Sequence, residues 1–527
     1  MPDAPSPVAP DSHVDPAERV PLGTKLAAGS GEAAINIGIN LPKSFAFPIY
    51  NLVLGVNPTL LGIALLVPRL WDAVLDPLMG NLTDRTRSRF GRRRPYMLVG
   101  AILAAVCIGL LCIFPRGFGE ADWAGDLVNF SLFGWDLSAE KKDYAYAAWL
   151  LVSSLLFYTA LTIFSVPYGA LTMELTRDYE ERTRVMSFRT LFTYLSGFAL
   201  AWVYAIAESD WFVGEDGEPD AILGAYAVGV GLVILMGVVM LVPTLFVRER
   251  SLAEVPDAAR ARPKIGFWRA LVTTLRSRAF LMIVAVYTIG FLGVILVVGF
   301  GLYVAIYHVY GGDRDTGSVV QGWAQTLAAC AGITATFIIN RLATRVEKKL
   351  LLFGALMCSF VGGLLSWVLY SPDLPTYNLI GWVPGIDADW PVHPLSFSYA
   401  LIWPGLAGLL IMSNSMIADL CDVDELETGE RREGMYWAVF SWIQKTAISV
   451  ALLFSGILLD VAGFNSTKDA VQTPEAVWNM RVIFVLGVCG GVGLAAVLTL
   501  FIPLSKARMT AVRAELEARE GPDLQES

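Results

Sequence analysis

Apolar stretches long enough to cross a bilayer recur along the whole of this 527-residue chain, and no other feature restricts its fold so tightly. Inside hydrocarbon the backbone has no water to bond, so only α-helices and closed β-barrels can span it. The runs here are about 20 residues long, which suits a helix crossing roughly 30 Å of hydrocarbon. Barrel strands would be short and alternating, and none is visible. The chain is 55% hydrophobic and 17% charged, whereas soluble chains carry about 25% charged residues. Twelve helical spans are predicted, at about 30–55, 59–81, 95–115, 144–175, 185–207, 220–247, 280–308, 318–339, 350–370, 396–420, 435–460 and 479–504.

Charge sets the expected orientation. Of the 39 lysines and arginines, 23 fall in alternate loops on one side of this array and 5 in the intervening loops. The positive-inside rule places the richer loops, and with them both termini, in the cytoplasm. Residues 1–27, rich in Pro, Asp and Ala, read as a disordered cytoplasmic tail rather than a signal peptide. The longest cytoplasmic stretch, a linker at 248–279 with an amphipathic piece near Phe267–Leu275, separates six spans in 28–247 from six in 280–504. A cytoplasmic tail follows at 505–527. The halves resemble each other weakly: Asn81-Leu-Thr-Asp-Arg85 follows the second span and Asn340-Arg-Leu-Ala-Thr-Arg345 the eighth. Two six-helix bundles in one chain imply an all-α transporter with its site at their interface.

The charges left inside the spans are few, and such residues are functional candidates by default. Arg69, Asp72 and Asp76 follow one another at i, i+3 and i+7, so they share a helix face. Each would cost about 2.5–3.5 kcal/mol near the bilayer centre, so the trio must face the bundle interior or a wet cavity. Two carboxylates one turn apart suit capture of a monovalent cation; a structural ion-pair knot is the plainer alternative. Glu32, Asn36, Asn40 and Lys43 form a polar stripe on the first span. It is either a pocket wall, with Lys43 meeting an anionic group, or interhelical hydrogen-bonding glue. Thr162, Ser165, Pro167 and Tyr168 make a polar, kinked stretch in the fourth span, where proline frees a carbonyl. Trp442, Gln444 and Lys445 lie together in the eleventh, and Lys445 is placed to exchange partners with the two carboxylates. Trp403, Trp437 and Trp442 serve either an interfacial belt or a sugar face. Arg481 reads as an interfacial, snorkelling residue. The run from Arg85 to Arg94 fixes topology and offers arginines to clasp helix ends; a short hairpin between membrane helices does not suit nucleic acid.

Some chemistries lack their parts. The six cysteines show no CxxC spacing and sit in or beside apolar segments, as buried packing residues do. The three histidines form no metal motif, and no elbow-type serine motif occurs. An enzyme is not expected.

With these residues in view, the chain resembles the glycoside–pentoside–hexuronide:cation symporters, the melibiose-permease branch of the major facilitator superfamily. The matching motifs are Arg69-Leu-Trp-Asp-Ala-x-x-Asp-Pro-x-Met-Gly80 with Thr86-Arg-Ser-Arg89, Pro167-Tyr168 with the charged turn Asp178–Arg184, and Ala418-Asp419 followed by Gln444-Lys445. The Gly80–Arg85 stretch also looks like the superfamily's loop signature. The resemblance covers essentially residues 30–505. It implies cation ligands at Asp72, Asp76 and Thr162 with Lys445 close by, and pocket or gate roles for Arg69 and Arg189. Together with the residue reading above, the expected pocket is Asn36, Asn40, Lys43, Ser165, Arg189, Trp442 and Lys445, and the expected gate or cytoplasmic-loop residues are Arg69, Asp84, Arg85 and Arg92. Three positions depart from the galactoside carriers: their sugar-gripping acids align with Asn36 and Ser165, an aromatic becomes Gly169, and an asparagine beside the second carboxylate becomes Leu75.

The expectation is therefore an integral protein of a bacterial inner membrane. It would import a sugar or glycoside, with Lys43 favouring an anionic sugar, together with Na+ or H+, by alternating access and with no other cofactor. Related lipid symporters share the cation motif, so a lysolipid or other amphipathic solute drawn from the membrane is the alternative, and a non-transporting sensor the alternative of another class.

Overall fold

The computed structural model describes residues 19–86, 88, 90–132, 135–173, 175–176, 179–214, 217, 219–247, 274–343, 345–378, 391–428, 433–467 and 470–523. Most of the expected tail and linker, including the amphipathic piece up to residue 273, lies outside the described residues.

Among the described residues, twelve long helices follow in order through the two halves. They are α1 (Leu22–Phe45, widening into a π-helix at Ala46–Val53), α2 (Pro58–Arg85), α3 (Arg94–Cys112), α4 (Lys141–Met173), α5 (Tyr179–Ala201, continued by Val203–Glu208) and α6 (Ala221–Phe246). The second six are α7 (Arg278–Tyr303, with a π-helix at Val304–Val309), α8 (Arg314–Leu342), α9 (Lys348–Leu369), α10 (Leu395–Thr428), α11 (Glu433–Val461) and α12 (Pro474–Leu500). Among the described residues, eleven helices are long and apolar enough to cross a membrane. The exception, α1, has the length, but its polar stripe dilutes it. It also begins at Leu22, inside the stretch expected as tail. The Val20 N–H and the Lys25 ammonium both bond the buried carboxylate of Glu181 on α5, at 3.0 and 2.6 Å, so the chain there is anchored.

Local sequence explains where the helices start. Asn57 accepts the N–H groups of Thr59 and Leu60 ahead of Pro58, and Thr473 caps α12 ahead of Pro474, satisfying first-turn donors that would otherwise be orphaned. Prolines inside α2 and α4 (Pro68, Pro77, Pro167) do not end either helix.

The helices alternate in direction. On the face where the array begins and ends, Arg94 at the start of α3 donates to the carbonyls of Thr244 and Leu245 at the end of α6, and Lys348 at the start of α9 pairs with Asp419 on α10 at 2.6 Å. On the far face, Tyr226 of α6 donates to the carbonyl of Phe114 at 2.7 Å, just beyond α3. Packing repeats between the halves: α3 lies on α4 as α9 lies on α10, and α1 lies on α5 and α6 as α7 lies on α11 and α12. Exposed Val74, Leu78, Val238, Phe337 and Val368 would be a large apolar patch in water and fit a lipid-facing surface.

Several elements were not foreseen. An antiparallel hairpin, β1 (Leu127–Leu132) and β2 (Trp135–Glu140), occupies the far-face loop before α4. Helix α13 (Lys506–Asp523) occupies the expected tail, burying Met509 and Val512 and packing on α10.

The halves meet along two related pairs, α2 with α11 and α5 with α8, and much of this seam is drawn tight on the far face. Gly456 of α11 abuts the carbonyl of Pro58, and a Cβ on Gly62 would stand 3.0 Å from the Cα of Leu453. Trp202 of α5 meets Trp323 of α8 edge-on at 5.4 Å, and its indole N–H donates to Thr326. The buried hydroxyl of Tyr303 on α7 donates to Asn51 of α1 at 2.6 Å. A side chain larger than glycine at the α2–α11 crossing must push backbone aside, since overpacking costs about 1–3 kcal/mol where neighbours cannot yield. Gly456→Val is expected to open this seam. A cysteine placed at Gln321, in a background without the native cysteines, should then react faster with a membrane-impermeant thiol reagent from the far face, and unchanged reactivity would refute this account of the crossing.

Candidate functional site

The intramembrane charges predicted from α2 come together with Lys445 across the two halves. Asp72 is 6% exposed. Its Oδ1 accepts the Thr162 hydroxyl from α4 at 2.5 Å, and its Oδ2 accepts the Lys445 ammonium from α11 at 2.9 Å. The same ammonium bonds Asp76 Oδ2. Arg69 closes the group, its Nη1 3.5 Å from Asp72 and its guanidinium 4.8 Å over the ring of Tyr158. The side chain of Arg69 is buried, and its Nε has no hydrogen-bond partner among the described residues. Helical spacing makes this possible, because residues four apart on α2 present their carboxylates on one face, and α11 crosses that face.

Two carboxylates and two cations leave the cluster formally neutral. That balance matters because an unpaired charge removed from water costs several kcal/mol. It also means the position between the carboxylates is held by a tethered ammonium from the opposite half. A monovalent cation taking both carboxylates would have to displace Lys445 or share them with it. Arg69, expected at a pocket or gate, is thus a member of the carboxylate cluster.

A second charged group lies on α1 and α5. Both Nε and Nη2 of Arg189 donate to one oxygen of Glu32, at 2.8 and 2.5 Å, and its guanidinium lies 5.3 Å over the ring of Tyr168. Tyr168 in turn donates to the carbonyl of Ala28, and Gly31 leaves room for its ring. Glu32 was legible as part of the α1 stripe but not as the partner of Arg189. Its spacing one turn before Asn36 was the available signal, and the pairing depends on how α5 packs.

The rest of the stripe divides. Asn36 accepts the hydroxyl of Ser196 at 3.0 Å, and Asn40 bonds the carbonyl of Asn36 in its own helix. Lys43 instead lines a cavity between the halves, together with Gln321 and Gln325 of α8, Ser455 of α11, and Tyr204 and Tyr303. The glutamines were missed; nothing in the α8 sequence alone sets them apart from interhelical glue. Ser165 is half-buried on α4, and Trp442, 37% exposed, does not line this cavity. Trp403 stacks on Tyr399. Arg481 lies 4.3 Å over the ring of Trp367. The side chains of Asp84 and Arg85 lie outside the described residues, and Arg92 is half-buried.

Because Lys445 serves two carboxylates at once, its removal and theirs must be non-additive. Lys445→Met is expected to lower the melting temperature by leaving two like charges facing each other. Adding Asp76→Asn should recover part of the loss. Equal, additive losses would show that the three residues do not form one electrostatic unit.

Comparison with known proteins bears on the family and the fold. A family model described as MFS/sugar transport protein matches residues 27–506. An uncharacterized symporter of Synechocystis sp. is 25% identical, over 96% of this chain and 98% of that protein. A glucuronide carrier protein homolog of Escherichia coli is 24% identical, over 93% and 94%. Among solved structures, a bacterial homolog of the human lysosomal transporter Spinster, captured inward-facing and unoccupied, superposes with a TM-score of 0.60 at 12% identity, covering 94% of this chain and 97% of that one.

Proposed function

We propose, from the premise that this chain belongs to the MFS/sugar transport family matched over residues 27–506, that it carries a sugar or glycoside across the membrane with a coupling cation. The fold is the all-α major facilitator fold, and the chain is a membrane transporter, not an enzyme. The resemblance to glycoside–pentoside–hexuronide:cation symporters holds at the level of the family.

One observation carries the coupling: the ammonium of Lys445, on the second half, is bound by Asp72 and Asp76 on the first. A bond across the interface that must rearrange in alternating access can be replaced by a small cation on the carboxylates. Loading then changes what holds the halves together. Thr162 supplies a neutral oxygen next to Asp72, so the group offers oxygen ligands of the kind that hard cations take. On this reading the ion is sodium. A proton would neutralise one carboxylate without using the hydroxyl. Solute and cation each favour the state that binds the other, with one coupling factor in both directions.

The tight far-face seam and the partial exposure of Asp76, Lys445 and Glu32 support a state open towards the face carrying the termini. With the positive-inside reading, that face is the cytoplasm of a bacterial inner membrane. The six-helix halves 28–247 and 280–504 are the units that move.

The test needs no known solute. A ligand that binds only the folded state stabilises it by about 2.7 kcal/mol at 100 times its dissociation constant. Purified protein should melt higher in sodium than in choline, and Asp76→Asn should abolish the difference. If wild-type protein melts identically in sodium, lithium and choline but responds to pH, the coupling ion is a proton. If Asp76→Asn still concentrates solute with unchanged ion dependence, the cation site is elsewhere.

A further inference from the structure

Four cationic side chains bear on the space between the halves, Arg69 among them with Asp72 3.5 Å away, and among the described residues only one of the four lacks a counter-charge. Lys445 holds two aspartates. Arg189 has two nitrogens on Glu32 and its third against the sulfur of Met186. Lys43 makes no hydrogen bond or ion pair among the described residues, and it is the one charged residue lining the interhalf cavity. An ammonium inside the membrane with no counter-charge is costly, and no acidic residue lines the cavity.

We infer that the solute itself supplies the missing charge: Lys43 is the specificity-determining residue, and it selects solutes that carry a single carboxylate beside their hydroxyls. This rests on the reading that the interhalf cavity holds the transported solute. The opposite wall supplies amide donors and acceptors from Gln321 and Gln325, and Ser455 and Ser318 add hydroxyls, which suits a polyhydroxylated body behind the carboxylate. The Gln321 amide is already oriented, since its Nε2 donates to the buried hydroxyl of Tyr399 at 2.9 Å and its Oε1 lies 3.3 Å from the same hydroxyl. Arg189 is unsuited to the same task, because an incoming carboxylate would have to evict Glu32 and leave that acid unpaired. Lys43 offers three ammonium donors with nothing to displace. The side chain lies on α1 next to the pair Pro42 and Ser44, close to where α1 widens into its π-helix.

A structural lysine and a solute-reading lysine respond oppositely to replacement. Removing an unpaired intramembrane charge should leave the melting temperature of the ligand-free protein unchanged or raise it, so Lys43→Gln and Lys43→Met are both expected to fold. Binding is then read as the thermal shift with glucuronate, galacturonate and gluconate against glucose and galactose, each in sodium and in choline. Wild-type protein should respond to at least one of the carboxylates and much less to the neutral sugars. Lys43→Gln should weaken the carboxylate response by about 10- to 100-fold in apparent affinity, the range for losing one charge-assisted hydrogen bond, and Lys43→Arg should retain most of it. Equal responses to charged and neutral sugars, no response to any carboxylate, or a carboxylate response undiminished in Lys43→Gln would each overturn the assignment. A lower melting temperature in both ligand-free variants would do the same, by giving Lys43 a structural partner. Failure of the coupling reading looks different: the carboxylate response would still depend on Lys43 but would be identical in sodium and choline.

Discussion

An ion pair that joins two mobile halves inside a membrane is the constraint from which the rest of this molecule follows. Asp72, Asp76 and Arg69 cannot face lipid, so α2 must turn that face inward, and Lys445 of α11 must meet it there. Each partner makes the other tolerable in low dielectric, because truncating one side of such a pair leaves an uncompensated charge behind. The pairing is also divided between two bundles. Its energy therefore contributes to the equilibrium between their arrangements, and any ion that competes for the carboxylates shifts that equilibrium by its differential affinity.

The contacts that close the far face are of another kind. Glycines let α2 and α11 approach backbone to backbone, two tryptophans meet edge-on between α5 and α8, and one buried hydrogen bond joins Tyr303 to Asn51. Packing of this sort is satisfied without charge and has no ion to compete for it. Close approach between small residues is how helices associate when lipid tails offer no hydrophobic driving force. The two π-helices among the described residues sit at equivalent places, ending α1 and α7. Such widened turns often mark functional positions, and here they adjoin the residues that form the seam.

Much of this was legible in the sequence because it depends on local contrast. A charge amid apolar residues is visible without knowing any neighbour, which is why the trio on α2, Thr162 and Lys445 could be named and were found together. Span positions were legible for the same reason, with ends moved a few residues by caps such as Asn57 and Thr473. What escaped depends on packing. Glu32 and Arg189 are 157 residues apart, and nothing in either helix says that α1 and α5 bring them into contact. Gln321 looks like any membrane amide until α8 is seen to turn it towards the cavity. The start of α1 was set too late because its anchor, Glu181, lies on a different helix. Helix α13 escaped because its apolar positions, Met509 and Val512, are few, and only the presence of α10 gives them something to cover.

The division of charge between the two polar regions bears on how solute and ion are coupled. The α2–α11 cluster is neutral as it stands, so a cation that joins it without expelling Lys445 adds a net positive charge. The cavity around Lys43 is positive as it stands. A neutral solute entering that cavity changes neither total, and the cation then stands against Lys43 and Arg69 unaided. A solute with one carboxylate neutralises Lys43 and lowers the potential felt at the cluster, so each ligand relieves a penalty on the other. Electrostatic linkage of this form needs no lever between the sites. It is strongest where charges are shielded from water, as Arg69 and Asp72 are within the cluster.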